Sequence, residues 1–317
     1  AKMNIKVIII GGNYYKIFKS YEDALNGYYL ISKDRLDLFK SDKDNIISAE
    51  SYFEMRLKGE SFIKDKTDET LNFNELDAKR AFFQKKELSK SEFLKKYSLK
   101  DDRPIFVIAT HAFKDANHLY GEFLFDDFWD EINFILKNIK NNNYFHFFLK
   151  THPMSDFYGE EEIINNLISD LKINNINLVD KDISTKSIIN IADKIFTSRG
   201  TIAIEFAAIG KKPYISSRSY YSDLGFSHLI SDKNELLNCL KNFSKENNYL
   251  NDNQKIDAKC CLYIRKEEIL RKNIYNLTEP IRHISYENFV KQLNLSLYNK
   301  NNLVGIKKNY INMLNKF

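Results

Sequence analysis

The pattern of hydrophobic and polar positions changes character near residue 100. Between residues 20 and 100 the chain is mostly polar with helical spacing, and helices are predicted near 46–58 and 75–97. Beyond residue 100, short apolar runs without alternation recur between amphipathic stretches. Such runs are typical of strands that are buried on both faces of a parallel sheet. The pattern therefore predicts an α/β protein with a doubly wound, Rossmann-like domain, a short and largely helical amino-terminal region, and carboxy-terminal helices.

The predicted elements follow one another in alternating order after residue 100. The strands of the doubly wound domain are predicted at 105–110, 145–150, 176–179, 194–197 and 213–217. The helices of that domain are predicted at about 126–140, 160–171, 184–191 and 201–209, and further helices at about 253–276 and 286–297. One more strand is predicted at 4–10. These elements divide the chain into an amino-terminal strand with a helical region (1–100), a Rossmann-like domain (101–250), and carboxy-terminal helices with a tail (251–317).

Composition excludes some classes of function. The chain has 317 residues and 43% apolar residues, enough for a packed core, while a net charge of +5 without a dense basic block argues against nucleic-acid binding. Three cysteines without metal-binding spacing favour a reduced, cytoplasmic setting. No apolar run approaches the length of a membrane span, and the first residues lack a signal-peptide layout. We therefore expect a cytoplasmic protein, with peripheral attachment at the inner membrane face left open.

The segment from Ile195 to Ser216 carries the most specific pattern. It reads as a strand, a tight turn, a helix that is apolar apart from Glu205, a stop at Gly210 and another strand. The turn residues can present backbone N–H groups, hydroxyls and a cation to a phosphate, or they can simply cap the helix. These turn residues are Ser198, Arg199, Gly200 and Thr201. Glu205 either accepts hydrogen bonds from ligand hydroxyls, which we favour, or pairs with Arg199 or another cation.

A second pattern lies at the end of the predicted strand 145–150. This apolar strand ends in Lys150, and His152 and Pro153 follow. Lysine supplies a point charge and imidazole a proton donor, so the pair can clamp a phosphate; the alternative is a solvated strand end. Ligands of doubly wound sheets lie at the carboxyl ends of the strands, which places this pattern and the turn after residue 197 at one edge.

Two further groups of residues are weaker candidates. The loop after the first strand of the domain contains His111, Asp115 and His118. It can hold an acid–base pair or contact an acceptor, or Asp115 can merely stabilise the loop; the spacing does not favour a metal site. Aromatic residues around Tyr221 either stack on a base or sugar or are ordinary loop tyrosines.

The order of these short motifs resembles a known family. His111-x-Phe-x-Asp-x-x-His118, Lys150-x-His-Pro153, Gly200-Thr-x-x-x-Glu-Phe206 and Gly210-Lys-Lys-Pro213 occur together between about residues 80 and 275. In this order they resemble the carboxy-terminal half of bacterial capsule and surface-polysaccharide biosynthesis proteins. Those are GT-B glycosyltransferases related to the Kdo transferases of capsule synthesis. The pattern is similar, more distantly, to teichoic-acid glycerophosphotransferases.

The resemblance implies a transferase that uses a CMP- or UDP-linked sugar and inverts the anomeric carbon. It implies that the donor is bound without a metal or other cofactor by Lys150, His152, Ser198, Thr201 and Glu205. The acceptor is expected to be an oligosaccharide or lipid-linked glycan. The catalytic candidates are Asp115 or His111 as base together with His152, and the candidates for base or acceptor contacts are His118 and Tyr221.

One departure from the family concerns the amino-terminal half. A GT-B enzyme has a complete amino-terminal domain that usually supplies the acceptor site, whereas only about 100 residues precede the recognised half here. Either that domain is reduced, or a partner domain or subunit completes the cleft. The alternatives that stay open are a CDP-polyol phosphotransferase and a non-catalytic nucleotide-sugar-binding subunit.

Overall fold

A six-stranded parallel sheet forms the centre of the molecule. The computed structural model describes residues 7–10, 15–18, 30–60, 73–99, 101–114, 123–243, 248–270 and 290–291. The strands are β1 (Val7–Ile10), β2 (Tyr15–Phe18), β3 (Ile105–Ala109), β4 (His146–Lys150), β5 (Ile176–Leu178), β6 (Lys194–Thr197), β7 (Tyr214–Ile215) and β8 (His228–Leu229). The five predicted strands of the domain are confirmed, and β8 is added to them. The first two strands form a separate antiparallel hairpin.

Helices cover both faces of this sheet. They are α1 (Lys33–Lys40), α2 (Lys43–Leu57), α3 (Phe73–Phe82), α4 (Lys90–Lys96), α5 (Phe128–Ile139), α6 (Glu160–Asp170), α7 (Thr185–Ile191), α8 (Ile202–Ala208), α9 (Lys233–Lys241) and α10 (Asp252–Leu270). Strand β3 is buried at all five positions, because neighbouring side chains point to opposite faces and each face is covered. The predicted α/β, Rossmann-like fold class is confirmed.

The order of the strands defines where a ligand site belongs. The sheet runs β5-β4-β3-β6-β7-β8, so the chain moves outward from β3 and then crosses back to β6. The helices after these two central strands lie on opposite faces. Ile132 of α5 packs with Phe106 and Ile108, whereas Ile204 of α8 packs with Val107 on the other face. The connections therefore diverge between β3 and β6, and this is the topological switch point of a doubly wound sheet.

One helix prediction differs from the structure, and another lies almost entirely outside the described residues. The single helix predicted at 75–97 is two helices, because Gln84 adopts a left-handed φ of 55° and Lys86 forms a parallel bridge to Ile183. Ser89 then begins α4 with a capping box. The helix predicted at 286–297 falls outside the described residues except for 290–291.

One hydrophobic cluster joins the three predicted parts of the chain. Leu36 and Phe53 from the amino-terminal helices, Val107 and Phe206 from the sheet domain, and Ala258 from α10 belong to the same buried cluster. Among the described residues, the boundaries predicted at 100 and 250 therefore do not separate hydrophobic cores. None of the described helices combines the length and the apolar character that crossing a bilayer requires.

Candidate functional site

An open cavity lies at the switch point, where the carboxyl ends of β3, β4 and β6 meet. The amino-terminal helices and α10 close its other sides. It is lined by Tyr52, Arg56, Asp77, Ala81, Ala109, Thr110, Lys150, Thr151, His152, Pro153, Thr185, Thr197, Gly200, Thr201, Ile202, Glu205, Tyr220, Leu262, Arg265 and Lys266. This is the position at which doubly wound sheets bind ligands. The structure thus brings five of the candidate residues together on one wall, namely Lys150, His152, Gly200, Thr201 and Glu205.

Lys150 ends strand β4 with its side chain on the cavity wall. Burial lowers the pKa of its ammonium to about 8, against the opposing influence of Glu205 and Asp77. Among the described residues, none forms a hydrogen bond or salt bridge with this ammonium within the usual distance. Lys150 is therefore a cation at neutral pH that can bind an anionic group of a ligand.

His152 has a defined orientation. The backbone N–H of Met154 donates a hydrogen bond to Nδ1 of His152 over 3.2 Å. Because Nδ1 accepts this bond, the neutral imidazole carries its proton on Nε2. That Nε2 atom lies 3.8 Å from Oδ2 of Asp77, another residue of the cavity wall. The imidazole thus presents a donor toward a carboxylate inside the cavity.

The turn after β6 is held in place by neighbouring groups. The N–H of Gly200 donates to Oγ1 of Thr197, and the Tyr221 hydroxyl donates to the Gly200 carbonyl over 2.9 Å. A Cβ atom at Gly200 would lie 2.9 Å from Oγ1 of Thr197, which is closer than real Cβ contacts. A side chain at position 200 would therefore force Thr197 or the turn to shift. Gly200 and Thr201 line the cavity.

Ser198 and Arg199 of the same turn lie away from the cavity. The Ser198 hydroxyl donates to the buried carboxyl of Glu131, and the Ser216 hydroxyl donates to its other oxygen. The Arg199 guanidinium lies 5.0 Å from the centre of the Phe128 ring. Neither Ser198 nor Arg199 lines the cavity in this structure. The structure therefore does not place these two side chains with the other predicted phosphate-binding residues at the cavity.

Glu205 forms an ion pair inside the fold. Nε and Nη2 of Arg56 lie 2.9 and 2.8 Å from Oε1 of Glu205, and both side chains are buried. This is the cation-paired alternative, with Arg56 as the partner in place of Arg199. Both residues still belong to the cavity wall, so the pair also shapes the site.

The predicted acid–base loop is described only in part. His111 stacks on Phe128 at 4.3 Å, and burial, followed by the charge of Arg199, lowers its pKa to about 3. It lies 5.6 Å from the His152 ring but does not line the cavity. An imidazole with this pKa is a weak base, which counts against His111 as the base. Asp115 and His118 lie outside the described residues.

In this loop, the aromatic residue at the cavity is Tyr220, next to the predicted Tyr221. Tyr221 is fully buried and stacks near Phe226, so its ring does not reach the cavity. Tyr220 lines the cavity instead. Side chains in an irregular loop do not alternate in direction with a regular period, as they do in a helix or strand. The sequence therefore cannot show which of two adjacent tyrosines points toward the cavity.

Sequence reasoning missed the polar and charged cavity residues outside the sheet domain, namely Tyr52, Arg56, Asp77, Arg265 and Lys266. They lie on helices α2, α3 and α10, where charged residues are common and no motif marks them. Within the described part of the chain, no group of three or more His, Cys, Asp or Glu side chains could hold a metal ion.

Comparison with known proteins adds distant structural likenesses. No family model and no curated protein matches the chain. Among solved structures, Anabaena Alr3699/HepE in complex with UDP and glucose is 13% identical with a TM-score of 0.35, covering 57% of this chain and 49% of that one. The β-Kdo 2,4 transferase KpsC of Thermosulfurimonas dismutans is 11% identical with a TM-score of 0.35, covering 80% and 64%.

A third solved structure is Methanocaldococcus jannaschii UDP-GlcNAc 2-epimerase in complex with UDP-GlcNAc and UDP. It is 15% identical with a TM-score of 0.34, covering 61% of this chain and 52% of that one. The matched part thus spans about half to two thirds of the length of these structures. At such scores the assignment of a Rossmann-like fold rests on the sheet topology of the chain itself.

Proposed function

We propose that this chain is a nucleotide-sugar-dependent glycosyltransferase of GT-B type that acts in bacterial capsule or other surface-polysaccharide synthesis. The observation that carries the proposal is the cavity at the switch point between β3 and β6, with Lys150 and His152 on its wall. The motif order described above supplies the reaction class. We further propose that transfer inverts the anomeric carbon and requires no metal.

The charge of the cavity supports an anionic ligand. Its wall holds four cations, Arg56, Lys150, Arg265 and Lys266, and two carboxylates, Asp77 and Glu205. With His152 counted as neutral, the net charge of the cavity wall is +2. A site with excess positive charge favours anionic groups such as phosphates.

The proposed chemistry uses this charge in the transition state. The acceptor hydroxyl gives its proton to a base, and its oxygen forms a bond to the anomeric carbon while the bond from that carbon to the phosphate oxygen breaks. The electron pair of the broken bond stays on the nucleotide phosphate, and the Lys150 ammonium stabilises the developing charge. Such preorganised electrostatic stabilisation is usually the largest contribution to catalysis.

The test is calorimetric titration of the full chain with UDP, CMP, CDP and their sugars, with EDTA present. Lys150→Ala should weaken binding of the nucleotide that binds by about 10- to 150-fold, because one charge-assisted contact is worth about 1.5–3 kcal/mol. The matched control is Lys137→Ala, since Lys137 is an exposed lysine on α5. This control should bind like the unmodified protein.

Several results would contradict the proposal. Unchanged affinity of the Lys150→Ala variant for every nucleotide would reject the phosphate clamp. Loss of binding in EDTA that Mg²⁺ restores would reject metal independence. Transfer of a polyol phosphate from a CDP donor would favour the polyol phosphotransferase, and binding without turnover would favour the non-catalytic subunit.

A further inference from the structure

A second cavity adjoins the first at the carboxyl ends of β4 and β5. The two cavities share six wall residues, which include Lys150 at the end of β4 and His152. Arg80, Lys85 and Lys181 line the second cavity but not the first. The two cavities therefore meet at the residues that end and follow β4, and Lys150 belongs to both walls.

Three ion pairs compensate most of the charged residues on the second wall. The pairs are Arg80–Asp156 at 2.9 Å, Lys181–Glu161 at 2.6 Å and Lys96–Asp180 at 2.5 Å. Two cations of this wall are left over, Lys85 and Lys150. Among the described residues, no carboxylate forms a salt bridge with either ammonium. The second cavity therefore keeps an excess of positive charge, which favours an anionic ligand.

Backbone contacts hold Lys85 at the second cavity. Its Nζ donates to the carbonyl oxygen of Lys181 over 2.8 Å, and the backbone N–H of Lys86 donates to the Asp182 carbonyl over 2.7 Å. An ammonium has three donors, so two of those on Lys85 are left for a ligand. Burial is the main cause of the lowered pKa of Lys150, and the nearby charge of Lys85 adds to it. An anion in the second cavity attracts both ammonium groups and offsets their repulsion.

We propose that the second cavity binds a phosphate group of the acceptor through Lys85 and Lys150, an inference that rests on the proposed function. A transferase must hold two substrates at one reaction centre, and the shared wall brings the two cavities together. The donor occupies the first cavity, and the phosphate of the acceptor anchors it beside the donor in the second. The acceptor is therefore a glycan that carries a phosphate, either as a soluble phosphate ester or as a lipid headgroup.

The experiment is calorimetric titration of inorganic phosphate, at low ionic strength, into the full chain saturated with the nucleotide that binds best. Saturation fills the first cavity, so the heat reports a second anion site. Lys85→Ala should weaken phosphate binding by about 10- to 150-fold, because it removes one charge-assisted contact, whereas Lys85→Arg should retain it. Nucleotide affinity of Lys85→Ala should stay within about twofold, since Lys85 does not line the first cavity. Lys95→Ala, which changes an exposed lysine of α4, is the matched control and should bind phosphate like the unmodified protein.

Two further probes identify the source of the phosphate. Cosedimentation with phosphatidylglycerol vesicles that Lys85→Ala weakens and Lys95→Ala preserves would support a lipid-borne acceptor. Binding of glucose 6-phosphate with the same dependence on Lys85, without cosedimentation, would support a soluble phosphate ester.

The possible results separate the two proposals. A nucleotide-saturated chain that binds no phosphate would overturn the acceptor site and leave the proposed function standing. Equal phosphate affinity of the Lys85→Ala and unmodified proteins would also overturn it, because the phosphate would then lie elsewhere. If Lys85→Ala lowers the melting temperature, Lys85→Gln is measured in the same titrations and judged by the same outcomes. An unmodified chain that binds no nucleotide would instead reject the proposed function.

Discussion

Two buried glutamates, Glu205 and Glu131, are held in opposite ways. Glu205 receives two bonds from the Arg56 guanidinium, so its negative charge has a cation in direct contact. Glu131 lies on the other side of the Ser198–Thr201 turn and is held by the Ser198 and Ser216 hydroxyls. Burial raises the pKa of Glu131 to about 7, although these bonds and the charge of Arg199 oppose the rise.

The difference shows that burial alone does not decide the charge of a carboxyl group. A guanidinium in direct contact offsets much of the free energy that a buried charge costs, whereas two neutral hydroxyls do so only in part. One face of the turn therefore presents a charged pair to the cavity, and the opposite face holds a carboxyl that gains a proton near neutral pH. The predictions below test each half of this contrast.

The largest effect is expected for Glu205→Gln. The substitution keeps the shape of the side chain but leaves the buried Arg56 cation uncompensated, so the free energy of unfolding should fall by about 3–5 kcal/mol. Denaturant titration measures this loss, and the double variant Glu205→Gln with Arg56→Met should recover part of it. A stable Glu205→Gln protein with impaired nucleotide binding would show instead that the ligand role of Glu205 prevails.

A smaller effect is expected from the pH dependence that Glu131 contributes. Its pKa is about 7 in the folded protein against 4.5 for an ordinary glutamate, so between these values the folded state binds the proton more strongly. The stability contributed by this group is therefore fully present below pH 4.5 and is lost as the pH rises toward 7. The total amounts to at most about 3 kcal/mol.

Glu131→Gln removes the titrating group and should flatten this part of the profile. Denaturant titrations of both proteins at pH 5 and pH 7 measure the difference. Equal pH dependence in the two proteins would mean that Glu131 stays ionised in the fold.

The smallest effect is expected for Ser198→Ala. Loss of one hydroxyl bond to Glu131 should lower the free energy of unfolding by about 1–2 kcal/mol. Nucleotide affinity should not change, because Ser198 faces away from the cavity. Thr201→Ala, on the cavity side of the same turn, should show the reverse pattern. A Ser198→Ala protein with normal stability and weaker nucleotide binding would restore the phosphate contact predicted from the sequence.

Local sequence patterns predict the sheet because each strand is marked by the hydrophobicity of its own few residues. Unbroken apolar runs such as Ile105–Ala109 identify buried strands, and a polar strand end such as Lys150 marks the edge where ligands lie. The partners of buried charges are not local. Arg56 and Glu205 are 149 residues apart in the sequence. Nothing in the amino-acid sequence of α2 distinguishes Arg56 from a surface arginine.

Local sequence patterns also do not predict the direction in which a side chain points within a turn. Ser198 and Thr201 are both hydroxyl residues of one motif, yet one faces Glu131 and the other faces the cavity. That choice depends on which side chains the neighbouring strands and helices bring to each side. Asp77 was missed for a similar reason, since only the folded position of α3 places it opposite His152.

The ion pair between Arg56 and Glu205 has a consequence for the order in which the protein matures on the ribosome. Helix α2 is synthesised before α10, against which it packs, and before α8, with which it pairs. Domains generally fold as units during synthesis, amino-terminal part first. Here the early helices must wait for residues 202–270 before their apolar faces and the Arg56 charge are covered. A nascent chain stalled near residue 200 would therefore expose these surfaces to chaperones and proteases until translation resumes.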